Sequence, residues 1–188
     1  MKQFKRAAKE DQFPPTEGQL LMDSFIYETV TPDHASDWRE LRLEGVRDFP
    51  LGFLLTVEEA AAVDIDQCRD NLKSGTTRGV FSGAKLVGYC GYRPQELTRT
   101  KHRAEIGPFF VSQMYQGKGA ANVLMRGVID EARNSGLEQL ELYVDTENFR
   151  AIAFYERLGF ERVATIKDGV RIMGQSRDDY FYTLRLRP

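Results

Sequence analysis

The stretch from Glu105 to Arg133 constrains this chain more than any other. An apolar run, Ile106 to Val111, gives way to a polar turn and then to Gln116-Gly117-Lys118-Gly119-Ala120-Ala121. Apolar residues recur after that at 121, 124, 125, 128, 129 and 132, the stripe of an amphipathic helix. A buried strand therefore feeds a glycine-bearing turn, and the turn opens a helix. The first-turn amides of a helix lack intrahelical partners and sit at the positive end of its dipole, which suits an anionic phosphate. Gly117 and Gly119 carry no Cβ, so a ligand can approach the backbone closely there.

Two nucleotide-binding patterns fail on these residues. A Walker loop needs Gly-Lys followed by Ser or Thr, but Gly117-Lys118 is followed by Gly119, and the earlier glycine position holds Ser112. A dinucleotide fingerprint needs a third glycine where Asn122 stands. With 26 basic and 28 acidic residues the chain has no charge excess pointing to nucleic acid. No apolar run approaches the ~20 residues that span a bilayer, and the N-terminus lacks the apolar core of a secretory signal. Cys68 and Cys90 have neither metal-ligand nor redox spacing, and His34 and His102 are scattered, so no metal site and a cytoplasmic setting are expected.

Residues 1–21 are rich in charge and proline with little to bury, and are expected to be a mobile tail. A single domain over 22–188 is then the simplest organisation. Within it, Phe25 to Val30 reads as a strand, and Thr31-Pro32-Asp33 as the start of a helix through Trp38, Leu41 and Val46. Thr56 to Glu59 is a capping box opening one helix toward Leu72. Gly79 to Phe81 and Leu86 to Tyr92 form a hairpin, and 94–101 a polar loop. After the central strand and helix come a strand at Leu140 to Val144 and a helix from Asn148 to Leu158, which Gly159 ends. A strand from Phe160 to about Ile166, a turn at Lys167-Asp168-Gly169 and a last strand from Asp179 to Leu186 close the chain. The fold class expected is α/β, a mixed and mostly antiparallel sheet of about seven strands flanked by four helices.

Gln116-x-x-Gly119-x-Ala121 follows a strand at a helix start, and a second pattern, Asn148-x-x-Ala151-x-x-Phe154-Tyr155-x-x-x-Gly159-Phe160, follows the next strand. In both motifs, and in the order of elements from about 25 to 186, the chain resembles the GNAT superfamily of acyl-CoA-dependent N-acyltransferases. The resemblance implies transfer of an acetyl group from acetyl-CoA, as cosubstrate, to an amine-bearing acceptor, with no metal, nucleic acid or membrane partner. It leaves a homodimer open. A non-catalytic acyl-CoA sensor on the same fold is the alternative.

Pro108 cannot donate to a sheet ladder and marks a bulge or an edge. In the resembling family this strand splays from its neighbour, and the pantetheine arm of the cofactor bonds to strand backbone. The resemblance thus assigns pantetheine to Phe109, Phe110 and Val111, pyrophosphate to Gln116, Gly117, Lys118, Gly119, Ala120 and Ala121, and cofactor or strand ordering to Asn148. Gln116 stands where arginine is commoner and brings no charge.

A lysine-like amine has a pKa of ~10.4 and needs a base, while the departing thiolate needs a proton that a phenol of pKa ~10 can give. Tyr155 occupies the family's general-acid position. Glu105, read by strand alternation as sharing a face with Gly107, Phe109 and Val111, is the first candidate for a base acting directly or through water, with pairing to Arg103 or Lys101 as the plainer reading. Asp178, Asp179, Tyr180 and Tyr182 fall near the acceptor end by the same resemblance. The acceptor pocket is expected from the first helices, the 94–101 loop and the last two strands.

Overall fold

The structure, a computed structural model, describes residues 25–186. The expected tail at 1–21 and the domain start at 22 lie outside the described residues. The strands are β1 (Phe25–Thr29), β2 (Thr77–Ser82), β3 (Lys85–Pro94), β4 (Arg103–Val111), β5 (Gln139–Asp145), β6 (Glu161–Ile172) and β7 (Gln175–Arg185). They form one seven-stranded sheet in the order β1-β2-β3-β4-β5-β7-β6. Every neighbouring pair is antiparallel except β4 and β5, which run parallel. The helices are α1 (Ala35–Asp48), α2 (Val57–Ala62), α3 (Ile65–Leu72), α4 (Ala120–Asn134) and α5 (Phe149–Arg157). None among the described residues is long and apolar enough to cross a membrane.

The apolar stripes decide which face each helix covers. Leu124, Met125 and Val128 of α4 and Tyr155 of α5 cluster with Ile106, Val111, Leu140 and Leu142 on one face of the sheet. Trp38 and Leu41 of α1 and Cys68 and Leu72 of α3 cluster with Phe81, Leu86, Tyr89 and Phe110 on the other. Gly136 ends α4 with φ of 78°, and the Leu137 amide reaches back to the Ala132 carbonyl at 3.0 Å. That is a left-handed helix cap.

Two expectations are corrected. The single helix from Thr56 to Leu72 is two, because Asp64 starts a second one. Its carboxylate accepts from the Gln67 amide at 2.8 Å, while Gln67 Oε1 accepts from the Asp64 amide at 3.1 Å. This makes five α-helices among the described residues, where four were expected. Lys167-Asp168-Gly169 is not the turn between the last strands but a bulge inside β6, between Ile166 and Val170. Asp178 holds it, accepting from Lys167 Nζ at 2.6 Å and from the Asp168 amide at 3.0 Å. The turn lies further on, at Met173 and Gly174, both with positive φ.

β4 is irregular where Pro108 foretells it. Cys90 faces Phe109 and Tyr92 faces Ile106, so Gly107 and Pro108 together oppose Gly91. One extra residue on a strand is a bulge. A Cβ on Gly91 would lie 2.2 Å from the Gly107 carbonyl oxygen, so the partner strand needs glycine there. The bulge also reverses the alternation of faces. Ile106 and Phe109, three residues apart, belong to the same apolar cluster, and Phe110 joins the opposite one. Glu105 therefore lies on the face opposite Phe109 and Val111, not beside them.

Candidate active site

β4 and β5 pair only where Arg103 to Glu105 meet Gln139 to Glu141. Beyond that point β4 stays with β3 as far as Val111, and β5 stays with β7 as far as Asp145. The backbone of Ile106 to Val111 is left facing a gap rather than a ladder. A cavity of about 1160 Å³ occupies this gap and is lined there by Phe109, Phe110, Val111, Tyr143, Val144 and Tyr155. An extended molecule can bond to the open edge as an added strand would.

At one end the cavity reaches the start of α4. Gly117 and Gly119 take positive φ, 75° and 99°, conformations that glycine adopts without strain. The first helical hydrogen bond runs from the Val123 amide to the Gly119 carbonyl at 3.1 Å, so the amides of Ala120, Ala121 and Asn122 have no helical acceptor. Gly117, Gly119, Ala121 and Asn122 line the cavity. Lys118 and Ala120 do not: Lys118 is exposed, and the Ala120 methyl is buried in the core. Gln116 is a tie rather than a charge. Its Nε2 donates to the Val111 carbonyl at 2.8 Å, and its Oε1 accepts from Arg150 Nη1 at 2.6 Å. Arg150, in the first turn of α5, lines the cavity and forms no ion pair among the described residues. It supplies the positive charge that Gln116 lacks. Sequence reasoning missed it, because the second motif leaves that position free.

Tyr155 is the buried residue of α5, its ring among Phe109, Phe154 and Phe160 at centroid distances of 6.3, 5.5 and 5.7 Å. Its hydroxyl has no hydrogen-bond partner among the described residues, yet it is not one of the polar atoms sealed from solvent without a partner, which are Trp38 Nε1, Tyr89 OH and Tyr92 OH. The ring is packed and the hydroxyl opens on the cavity. Burial, with a smaller contribution from Cys90, pushes this phenol well above its ordinary range, so it is protonated at neutral pH. Asn148 caps α5, its Oδ1 accepting from the Ala151 amide at 3.2 Å. It lines the cavity, and its Nδ2 donates to nothing among the described residues. Glu105 lines the cavity from the opposite face of β4 and accepts from Arg93 Nη2 at 2.6 Å, a partner other than the two expected.

At the other end the cavity is walled by α1, by the segment from Phe49 to Leu55, and by the last two strands through Gly169, Val170, Ile172 and Asp179. The expected loop at 94–101 contributes nothing to it. Of the four residues near the chain's end, only Asp179 lines it. Asp178 is tied to Lys167, and Tyr182 is buried with its hydroxyl donating to Glu156 Oε1 at 2.9 Å. The cavity thus crosses the sheet through the gap, with the glycine turn and its free first-turn amides at one end and a pocket of mixed polarity at the other.

Comparison with known proteins bears on this arrangement. The model of the acetyltransferase (GNAT) family matches residues 29–160. An uncharacterised N-acetyltransferase of Methanocaldococcus jannaschii is 39% identical over 91 residues, which cover 47% of this chain and 40% of that protein. The N-alpha-acetyltransferase RimI of Mycobacterium tuberculosis is 37% identical over 108 residues, covering 57% of this chain and 63% of that one. The chain thus spans less than two thirds of the length of these curated relatives. A solved structure of an acetyltransferase from Salmonella typhimurium with its cofactor acetyl-CoA shares the fold, with a TM-score of 0.75, 18% identity, and coverage of 87% of this chain and 95% of that one.

Proposed function

Because this chain belongs to the acetyltransferase (GNAT) family, we propose that it moves the acetyl group of acetyl-CoA to a primary amine by direct attack. The observation that carries the proposal is the parting of β4 from β5 after Glu105, which leaves the Phe109 to Val111 backbone free beside a cavity ending at the α4 turn. Acetyl-CoA fits that cavity in one direction. Its pyrophosphate meets the amides from Gly117 to Asn122 and the Arg150 guanidinium, and its pantetheine arm lies along β4. The thioester then comes to rest between Phe109 and Tyr155. Asn148, its Oδ1 engaged in the cap, offers Nδ2 to the arm.

In the reaction the acceptor nitrogen bonds to the carbonyl carbon as the carbon–sulfur bond breaks. An alkylammonium loses two protons on the way to the amide, one reaches sulfur, and one leaves to solvent. Tyr155 gives the proton to sulfur. Glu105, on the opposite side of β4, takes the proton from nitrogen through a water. Acid and base then approach the gap from the two faces of the sheet. Peptide N-termini head the acceptors to try, because one relative is named for N-alpha acetylation. A cytoplasmic setting fits Cys68 and Cys90, both free and buried.

The test is acetyl-CoA consumption with a panel of peptides, amino acids and alkylamines, run beside calorimetric titration of acetyl-CoA. The proposal expects binding and turnover on at least one acceptor. Binding without turnover on any of them favours the sensor, and no binding overturns both.

A further inference from the structure

The acids on the strands around the cavity are almost all matched to a cation. Glu105 is held by Arg93, and Glu141 by Arg103 at 3.0 Å. Asp145 is held by both Nε and Nη2 of Arg177, at 2.6 and 2.7 Å. Asp178 is held by Lys167. Asp179 has no hydrogen bond and no ion pair among the described residues, although it lines the cavity and is only partly exposed.

Its place makes this more pointed. Asp179 pairs with Asp145 across β7 and β5, so the two carboxylates stand side by side on one face. Like charges directly opposite one another destabilise a sheet. Arg177 is spent on Asp145 and Glu147. Gly169 of the β6 bulge sits against the unmatched carboxylate, and a Cβ there would crowd it, coming to 3.2 Å from Asp179 Oδ2. Tyr143 lies on the same face two residues from Asp145, is 53% exposed, and lines the cavity with Val170 and Ile172. A carboxylate without a cation, beside an open aromatic ring, is the chemistry that receives an ammonium group.

The geometry points to Asp179 as the anchor that selects a positively charged acceptor, a primary alkylammonium held between its carboxylate and the Tyr143 ring. This rests on the acetyl-transfer reading and deepens it by naming the charge state in which the acceptor is recognised. Burial and the neighbouring Asp145 raise the Asp179 carboxyl above the usual range, the direction expected of a group whose partner arrives from outside. Asp179 is a specificity residue for docking, and Glu105 and Tyr155 keep their roles in the chemistry.

The experiment compares phenethylamine and a tetrapeptide with a free N-terminus, cations or partly so at neutral pH, with 4-ethylaniline, which is uncharged there. Wild type should prefer the cations. Asp179→Asn should raise KM for them with a smaller change in kcat, lowering the kcat/KM preference over 4-ethylaniline at least about tenfold, or ~1.4 kcal/mol. An unchanged preference, or a loss confined to kcat, overturns the assignment. Calorimetric affinity for acetyl-CoA reports whether the variant is folded. If that affinity is lost, Asp179→Glu carries the test, and it must keep the wild-type preference. Failure of wild type to consume acetyl-CoA with any of the probes sinks the transfer reading itself, a result distinct from failure of Asp179.

Discussion

Burial makes the Tyr155 hydroxyl a weaker acid than a free phenol, because charge is costly where water is excluded. The same dry surroundings penalise the departing thiolate, so the difference between donor and acceptor narrows when both sit in the gap. Substituting Tyr155→Phe should leave calorimetric affinity for acetyl-CoA near wild type and cut turnover at least about tenfold, ~1.4 kcal/mol of transition-state stabilisation. Unaltered turnover in steady-state assays would remove the role. The places of Tyr155 and Asn148 on the cavity were legible in the sequence, because a spacing of two helical turns carries both to one face of α5. Arg150 was not, since its value comes from Gln116 lying across the turn. The face of Glu105 was misread for a related reason. Alternation holds along a regular strand, and the bulge at Gly107 and Pro108 breaks it between Glu105 and Phe109.

At the scale of elements, the parting of β4 and β5 needs β5 to be held firmly on its other side. Its partner β7 runs with it from Gln139 to Asp145, and the end of that ladder is fixed by Arg177 on the buried Asp145. Burial works against the Asp145 charge, but the guanidinium overcomes it and holds the carboxyl below the usual range. A carboxyl depressed in the folded state adds stability that is fully present above its unfolded pKa of ~3.9 and fades as pH falls through the folded value. Asp145→Asn should therefore lower stability at neutral pH. Urea unfolding of both proteins should show the difference shrinking below about pH 4. A difference that does not vary with pH would rule this pair out as its source. Element boundaries were legible where the residues announce them, as at Thr56 and Gly159. Asp64-x-x-Gln67 announces a helix start just as clearly, but the apolar periodicity running through it hid the break. The length of the last hairpin was hidden by Lys167-Asp168-Gly169, a turn-like triplet that Asp178 folds into a bulge.

For the whole molecule, two layers of helices on a sheet with one parallel pair create a passage from one face to the other. The glycine turn that opens α4 and Tyr155 lie at one side of it, Glu105 and Asp179 at the other. The order of elements was readable because each strand and helix carries its own period. The acceptor pocket was not, since it is assembled from α1, the Phe49 to Leu55 segment and the β6 bulge, which no single pattern joins. The proposed transfer requires acetyl-CoA to thread the gap between β4 and β5. A crystal structure of the complex with acetyl-CoA tests it most directly. Pyrophosphate is expected on the amides from Gly117 to Asn122, pantetheine bonded to the backbone of Phe109 to Val111, and the thioester sulfur within hydrogen-bond reach of the Tyr155 hydroxyl. Cofactor bound elsewhere, or lying in the gap with its sulfur remote from Tyr155, would contradict it.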